Sequence, residues 1–391
     1  MIRISLFNVR LYLIRYAMEK IGFVMNFWRG GGPRNVYTLA SYLNEFGYYC
    51  KVLSYHSKED IPTFVRNYYG TLKNEMGTQI IAPKGLTSFI NLLFTPSDRL
   101  SAFTFVPFKF KEFFLEPRTL RKFENFDFYI ATNWQTAYPV YKISREKKSK
   151  MLYFCQAYET NFFTNLFWRK YAEKTYELSV TRFTQSKWLK LFLDEKFGGD
   201  NVYIGMGINN GFFLEKYEDF QNTIFTIARN DYNKGFDIFV NAVNRLWGKR
   251  QDFKVIIAGD SNAITKYQIK FPFDFIGWID DDSMLARLYS QAIFVNTGRR
   301  EALPMPPLEA MASGSSVVLT DTDGAKEYTK NGLNCLSIRI DDHVALAEGI
   351  NMLIDSVDLR RTLRRGGIKT ASEYRWDSVV RRLTHVFQNL S

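Results

Sequence analysis

Cysteine and histidine are both scarce in this chain, at three each in 391 residues. Cys50, Cys155 and Cys335 cannot all pair, and their spacing suits neither a disulfide framework nor a zinc site, which points to a reducing compartment. His56, His343 and His385 lie far apart in sequence, which argues against a histidine-based metal centre. Long apolar runs are missing as well. Residues 85–97 form one of the longer uncharged stretches, and its 13 residues fall short of the roughly 18 that a spanning helix needs. The amino terminus is apolar but carries Arg10, Arg15, Glu19 and Lys20 and has no small-residue cleavage site. A signal peptide is therefore not expected, and the reading is of a cytoplasmic protein. With 46% apolar and 24% charged residues, disordered and fibrous classes drop out.

Acidic residues are depleted in one half only. Residues 1–200 hold 29 Lys and Arg against 17 Asp and Glu, whereas residues 201–391 hold 23 of each. The whole net charge of +12 thus belongs to the first half, which implies an anionic partner: nucleic acid, an anionic membrane surface or a phosphorylated acceptor. Basic residues are interleaved with aromatics at residues 103–114 (FTFVPFKFKEFF) and 162–171 (FFTNLFWRKY). Such a mixture suits a headgroup interface or, equally, a core with a solvated rim. Stacking on single-stranded bases is a further use of it, but no nucleic-acid-binding motif is present.

At this length two domains are expected. Apolar runs of strand length occur at residues 21–27, 50–55, 79–82, 128–132, 151–155 and 182–184, and again at 224–228, 254–258, 273–276, 293–297, 316–320 and 333–338. Helical spacing fills the gaps, as with Val36, Leu39, Ala40, Leu43 and Phe46 behind Pro33, where Gly47 ends the helix. Alternating β and α predict two parallel sheets covered by helices: an α/β chain of two Rossmann-like domains with a cleft between them. The glycine- and asparagine-rich stretch 205–211 (GMGINNG) marks the boundary.

Two clusters carry chemistry. In the first, strand 21–27 runs into RGGGP (residues 29–33) and then a helix. Gly31 and Gly32 would let a phosphate approach N–H groups at a helix start. The pattern is not G-x-G-x-x-G, and His56 and Ser57 stand where a dinucleotide site needs an acid. A plain tight turn would look the same. In the second, Arg229 and Lys234 follow strand 224–228, while Glu301 and Glu309 follow strand 293–297. Two cations in a loop suit a diphosphate. Pro306 and Pro307 are expected to place Glu309 in the first turn of a helix, at the edge where open parallel sheets bind ligands. The alternatives are a carboxylate that stabilises its own helix and an ion pair between Arg229 and Asp231.

The second half closely resembles the nucleotide-binding domain of the retaining, family 4 glycosyltransferases of the GT-B fold. The resemblance rests on the Arg229–Lys234 loop ending in Gly235, Gly277-Trp278-Ile279 before an acidic helix start, the spaced pair Glu301 and Glu309, EAMASG (residues 309–314), strand 317–320, Gly324, Glu327 and Gly332. It is strong over residues 205–380 and weak before them. QAYE (156–159), TNWQTAY (132–138) and PPLE (306–309) look most like bacterial rhamnosyltransferases of surface-polysaccharide assembly that use dTDP-rhamnose. The resemblance implies domains at 1–206 and 207–373, with 374–391 crossing back onto the first. It implies that Arg229 and Lys234 bind the donor diphosphate, Glu309 the ribose hydroxyls, and Glu301 the sugar or phosphates. The backbone of Gly277, Trp278 and Ile279 would meet the base, and Leu303, Met305 and Leu308 the phosphates or sugar. Gln156, Glu159, Trp134 and Gln135 are the acceptor-side candidates.

The chain departs from that pattern in two places. The loop after Glu301 is ALPMPP rather than glycine-rich, and three prolines remove N–H donors. Cys155-Gln156 stands where the family often has a histidine. The aspartates at 280–282 and at 321 and 323 read as turn and cap residues, so no metal or other cofactor is expected. The implied activity is transfer from a nucleotide sugar to a growing glycan or lipid-diphosphate-linked acceptor, with no nucleic acid involved. The implied place is the cytoplasm, peripheral on the inner face of the membrane. The alternatives are a sugar-nucleotide 2-epimerase of the same fold and a non-catalytic glycan- or membrane-binding partner.

Overall fold

The computed structural model describes residues 19–25, 31–54, 80–81, 124–163, 165–217, 220–279 and 281–390. Residues 85–97 and 103–114, Arg29, Gly30, His56 and Asp280, which figure in the sequence reading, lie outside them. The chain divides into two compact units. One holds Met1–Gln185, Lys190–Ile204 and Val379–Ser391, the other Ser186–Leu189 and Gly205–Ser378.

The first unit is built on strands β1 (Lys20–Met25), β2 (Tyr49–Ser54), β3 (Ile80–Ile81), β4 (Phe128–Ala131), β5 (Lys150–Cys155), β6 (Thr181–Thr184) and β7 (Asn201–Tyr203). Their order is β3-β2-β1-β4-β5-β6-β7, and every pairing is parallel. Strands covered by helices on both faces read as continuous apolar runs, and KIGFVM and KMLYFC, buried at all but their first residue, do so. The short β7 has no such run and is not visible in the sequence.

The second unit repeats the plan with β8 (Thr223–Ala228), β9 (Lys254–Gly259), β10 (Asp274–Gly277), β11 (Ile293–Asn296), β12 (Ser316–Thr320) and β13 (Leu336–Ile338). The order is β10-β9-β8-β11-β12-β13, again parallel throughout. Its core joins Phe239 and Val243 of the helix Phe236–Trp247 to Ile257, Val295 and Val318 of the sheet and Leu346 and Ile350 of the helix His343–Asp355. In both units the strand order reverses once, between β1 and β4 and between β8 and β11. At such a switch point the loops diverge and leave room for a ligand at the strands' C-terminal ends.

Three expectations are corrected. β13 begins at Leu336, because residues 332–334 form a turn, closed by a bridge between Asn331 and Cys335, in which Leu333 is exposed. Phe46 lies beyond the helix Gly31–Glu45 and is exposed. The helix carrying Glu309 is Met305–Ala312, with Pro304 at its N-cap. Prolines need no N–H partner in the first turn, so that helix starts early and Glu309 falls in its second turn.

The last helix, Trp376–Leu390, starts in the second unit, where Trp376 packs on Gly207, and from Val379 onward it belongs to the first. There Phe387 is fully buried, its ring centroid 4.9 Å from Phe128 and 5.6 Å from Tyr48. Phe387→Ala is therefore expected to destabilise the first unit by about 3–5 kcal/mol. Chemical denaturation followed by tryptophan fluorescence measures it, and a loss below about 1 kcal/mol would mean that this docking contributes little.

Candidate functional site

In the second unit the two loops at the switch point touch. β8 leads through Arg229 into the turn Tyr232–Lys234, capped by the Asp231 carboxylate on the Asn233 N–H at 2.9 Å. Gly235 then has φ 62°, and a Cβ there would lie 1.9 Å from the Thr297 carbonyl oxygen. Only glycine lets the turn close this tightly on the loop after β11. The consequence is a direct ion pair: Lys234 Nζ lies 2.8 Å from Glu301 Oε2, with the lysine side chain 37% and the glutamate 12% exposed. A Cβ on Gly298 would intrude to 2.8 Å from the Glu301 side chain, so that glycine also keeps room for the carboxylate.

Arg299 holds the two loops together, and sequence reasoning missed it. Its guanidinium donates to both oxygens of Asp237 at 2.9 and 2.6 Å, to Asp341 Oδ1 at 2.6 Å and to the Tyr232 carbonyl at 2.8 Å. It also lies 4.1 Å from the centre of the Tyr232 ring, while its backbone N–H donates to the Asn233 carbonyl at 2.7 Å. Burial works against charge on Asp237, but the two hydrogen bonds from Arg299 hold its pKa below the ordinary carboxylate value. The only signal in the sequence was the pair Arg299-Arg300 ahead of Glu301, whose partners are distant in the chain.

The other second-unit candidates surround this contact. The Arg229 guanidinium stacks 4.2 Å from the Trp278 ring centre, just beyond Gly277 at the end of the edge strand β10. Trp278 and Ile279 are half-buried. Glu309 is buried, as are Leu303 and Leu308, whose side chains belong to the core; Met305 is half-buried. The proline-rich loop is fixed by Tyr328, whose buried hydroxyl donates to the Pro304 carbonyl at 3.0 Å, and by the Gly324 N–H on the Glu301 carbonyl at 3.2 Å. Among the described residues no cluster of three or more His, Cys, Asp or Glu is placed to hold a metal.

The first-unit candidates form a separate group at the other switch point. Gly31 and Gly32 open the helix Gly31–Glu45, and Gln156 follows β5 with its carboxamide oxygen 3.5 Å from where a Cβ on Gly32 would stand. Gln135 is buried. Trp134 begins the helix Trp134–Glu146, whose N-cap Asn133 forms a reciprocal capping box with Thr136. Glu159 is only 6% exposed. Its Oε2 accepts from the Trp134 N–H at 2.7 Å and the Tyr153 hydroxyl at 3.1 Å, so it stabilises the start of that helix from inside the unit.

Residues 212–370 match the family model described as glycosyl transferases group 1. An uncharacterized glycosyltransferase of Methanocaldococcus jannaschii is 26% identical over 213 residues, which is 53% of this chain and 58% of that protein. The phosphatidyl-myo-inositol mannosyltransferase of Mycobacterium tuberculosis is 23% identical over 232 residues, 55% of this chain and 61% of that protein. The chain thus spans less than two thirds of the length of these curated relatives. Among solved structures, Anabaena HepE in complex with UDP-glucose superposes with a TM-score of 0.72 at 15% identity, covering 95% of this chain and all of that one. Sucrose-phosphate synthase from Thermosynechococcus elongatus gives 0.73 at 14% identity, covering 95% and 99%. These likenesses show the fold, which is that of the GT-B glycosyltransferases.

Burial raises the Glu159 pKa from 4.5 to about 8, and the hydrogen bonds from Trp134 and Tyr153 offset only part of that. A carboxyl whose pKa is raised by folding binds more protons folded than unfolded. Its stabilising effect is complete below about 4.5 and is lost as pH rises through about 8. Glu159→Gln keeps the acceptor oxygen but cannot ionise. The variant is thus expected to gain stability over the wild type as pH rises from 5 to 8, read by thermal denaturation across that range. A difference that stays flat with pH would contradict the assignment.

Proposed function

We propose that the protein is a retaining glycosyltransferase that moves a sugar from a nucleoside-diphosphate donor to a hydroxyl acceptor. The observation that carries this reading is the Lys234–Glu301 contact at the second unit's switch point, inside the segment that matches the group 1 model. In this reading Lys234 and Arg229 neutralise the leaving diphosphate, where negative charge develops in the transition state. Glu301 turns from Lys234 to the sugar hydroxyls once the diphosphate takes up the ammonium, and Glu309 accepts from the ribose. Backbone at Gly277, Trp278 and Ile279 meets the base, and that of Leu303, Met305 and Leu308 the phosphates or sugar. The diphosphate itself takes the acceptor proton, so the chemistry asks the protein for charge and orientation and for no metal.

The donor is a nucleotide sugar. Anabaena HepE was solved with UDP-glucose, and the mycobacterial relatives bear a mannosyltransferase name. Neither supports dTDP-rhamnose in particular, which stands as one arm of the donor test beside UDP and GDP sugars. For the acceptor we favour a lipid-diphosphate-linked glycan at an anionic membrane surface. No helix among the described residues is long and apolar enough to cross a membrane, but Leu166 and Phe167 at the start of the helix Leu166–Lys174, and Phe162 in the turn before it, are exposed, as are Arg169 and Lys170 of the same helix. Rings with flanking cations suit reversible binding at the headgroup level, and each cation near such a surface contributes about 1 kcal/mol, screened by salt.

Lys234→Ala is expected to weaken nucleoside-diphosphate binding at least tenfold, about 1.4 kcal/mol, with the fold intact and turnover indifferent to EDTA. Calorimetry with dTDP, UDP and GDP reads the first, and unchanged affinity would remove Lys234 from the site. Turnover lost to EDTA and restored by Mg²⁺ would contradict the metal-free reading. In co-sedimentation with vesicles the protein is expected to pellet with anionic lipid at low salt, less at high salt, and less again after Arg169→Glu with Lys170→Glu. Protein left in the supernatant at low salt would make the acceptor a soluble one.

A further inference from the structure

Asp341 is one of two residues other than glycine, among those described, with a positive φ, at 65°. Such a backbone costs an L-residue free energy and persists only where its surroundings hold it, often at functional sites. Asp341 stands three residues past β13, and its carboxylate takes the Arg299 Nε–H at 2.6 Å. Arg299 spends three more N–H groups on both oxygens of Asp237 and on the Tyr232 carbonyl. With two carboxylates answering its charge and one of its five donors left, it is not built to bind a phosphate itself.

What Arg299 holds is the backbone of the Lys234 turn. The Tyr232 carbonyl that accepts from its guanidinium also accepts the Gly235 N–H, at 3.2 Å, which closes the turn. The Asn233 carbonyl accepts from the Arg299 N–H at 2.7 Å, and that of Lys234 from the Thr297 hydroxyl at 3.4 Å. All three carbonyls of the turn are thus tied to residues 297–299, just ahead of Glu301. We infer that Arg299 and Asp341 are positioning residues, which set the Lys234 ammonium for the anion it neutralises. A lysine at 299 would keep the charge but not the fork, and could not serve Asp237, Asp341 and Tyr232 at once. That the anion is a nucleoside diphosphate rests on the glycosyltransferase reading. The positioning of Lys234 does not.

The test uses the full chain with Arg299→Lys and with Asp341→Gly. Glycine at 341 relaxes the backbone and removes a carboxylate that is 58% exposed, so this variant is expected to melt no lower than the wild type. Hydrogen–deuterium exchange without ligand should nevertheless quicken at least threefold in it at residues 231–235, with β8 unchanged. By calorimetry, whichever of UDP, dTDP and GDP binds the wild type best should lose at least fivefold in affinity with either variant. The same changes should cost less than twofold once Lys234 is alanine, because residues that act through one another are not additive. Equal losses in both backgrounds, no loss in either, or exchange at 231–235 that keeps the wild-type rate would each overturn the inference. So would an affinity that falls only in step with a lower Tm. If Arg299→Lys does not fold, Asp341→Gly carries the comparison. If its turn loosens but no nucleoside diphosphate binds the wild type, the glycosyltransferase reading fails and the positioning of Lys234 stands.

Discussion

The contact on which the second unit's candidate site depends is the close approach of two loops where its strand order reverses. Parallel strands diverge in their connections at one place only, between β8 and β11, and the chain spends two glycines there. Gly235 brings the Lys234 turn against Thr297, and Gly298 leaves space beside Glu301. A cation and a carboxylate thereby meet at 2.8 Å while the lysine stays partly open to solvent. An exposed pair of this kind contributes little to stability. In the proposed function its worth lies in keeping opposite charges where an anionic ligand can exchange with one of them. The guanidinium of Arg299, bonded to Asp237, Asp341 and the Tyr232 carbonyl, keeps both loops from drifting apart.

The first unit uses the same topology with opposite polarity. Where the second gathers charge, the first gathers amides: Gln156 and Gln185 at neighbouring strand ends, beside glycines opening a helix. Among its described residues the deeply buried carboxyl is Glu159, turned inward onto the Trp134 N–H. Trp134 is itself enclosed by Phe163, Trp168 and Tyr171 at ring distances of 5.4 to 6.0 Å. Those two residues support the edge on which Gln156 stands.

Most of the sheet was legible because strands buried on both faces leave unbroken apolar runs, and β12 at Ser316–Thr320 matches its expected bounds residue for residue. What escaped lacked that mark. β7 has three residues, two of them half-buried, and the early start of the helix Met305–Ala312 depends on prolines tolerated in a first turn. In the candidate site, Arg229, Lys234 and Glu301 could be named from the sequence because a cation pair and a spaced carboxylate pair stand out in the loops that follow β8 and β11. Arg299 could not, since Asp237 and Asp341 are 62 and 42 residues away.

The central claim is that nucleoside diphosphates bind at the β8–β11 switch point. Hydrogen–deuterium exchange of the full chain, with and without saturating UDP, dTDP or GDP, tests it most directly. At least one nucleotide should slow exchange in residues 229–235 and 298–309 together, leaving the N-terminal ends of β8 and β11 unchanged. Protection confined to other segments, or none with any of the three, would contradict it.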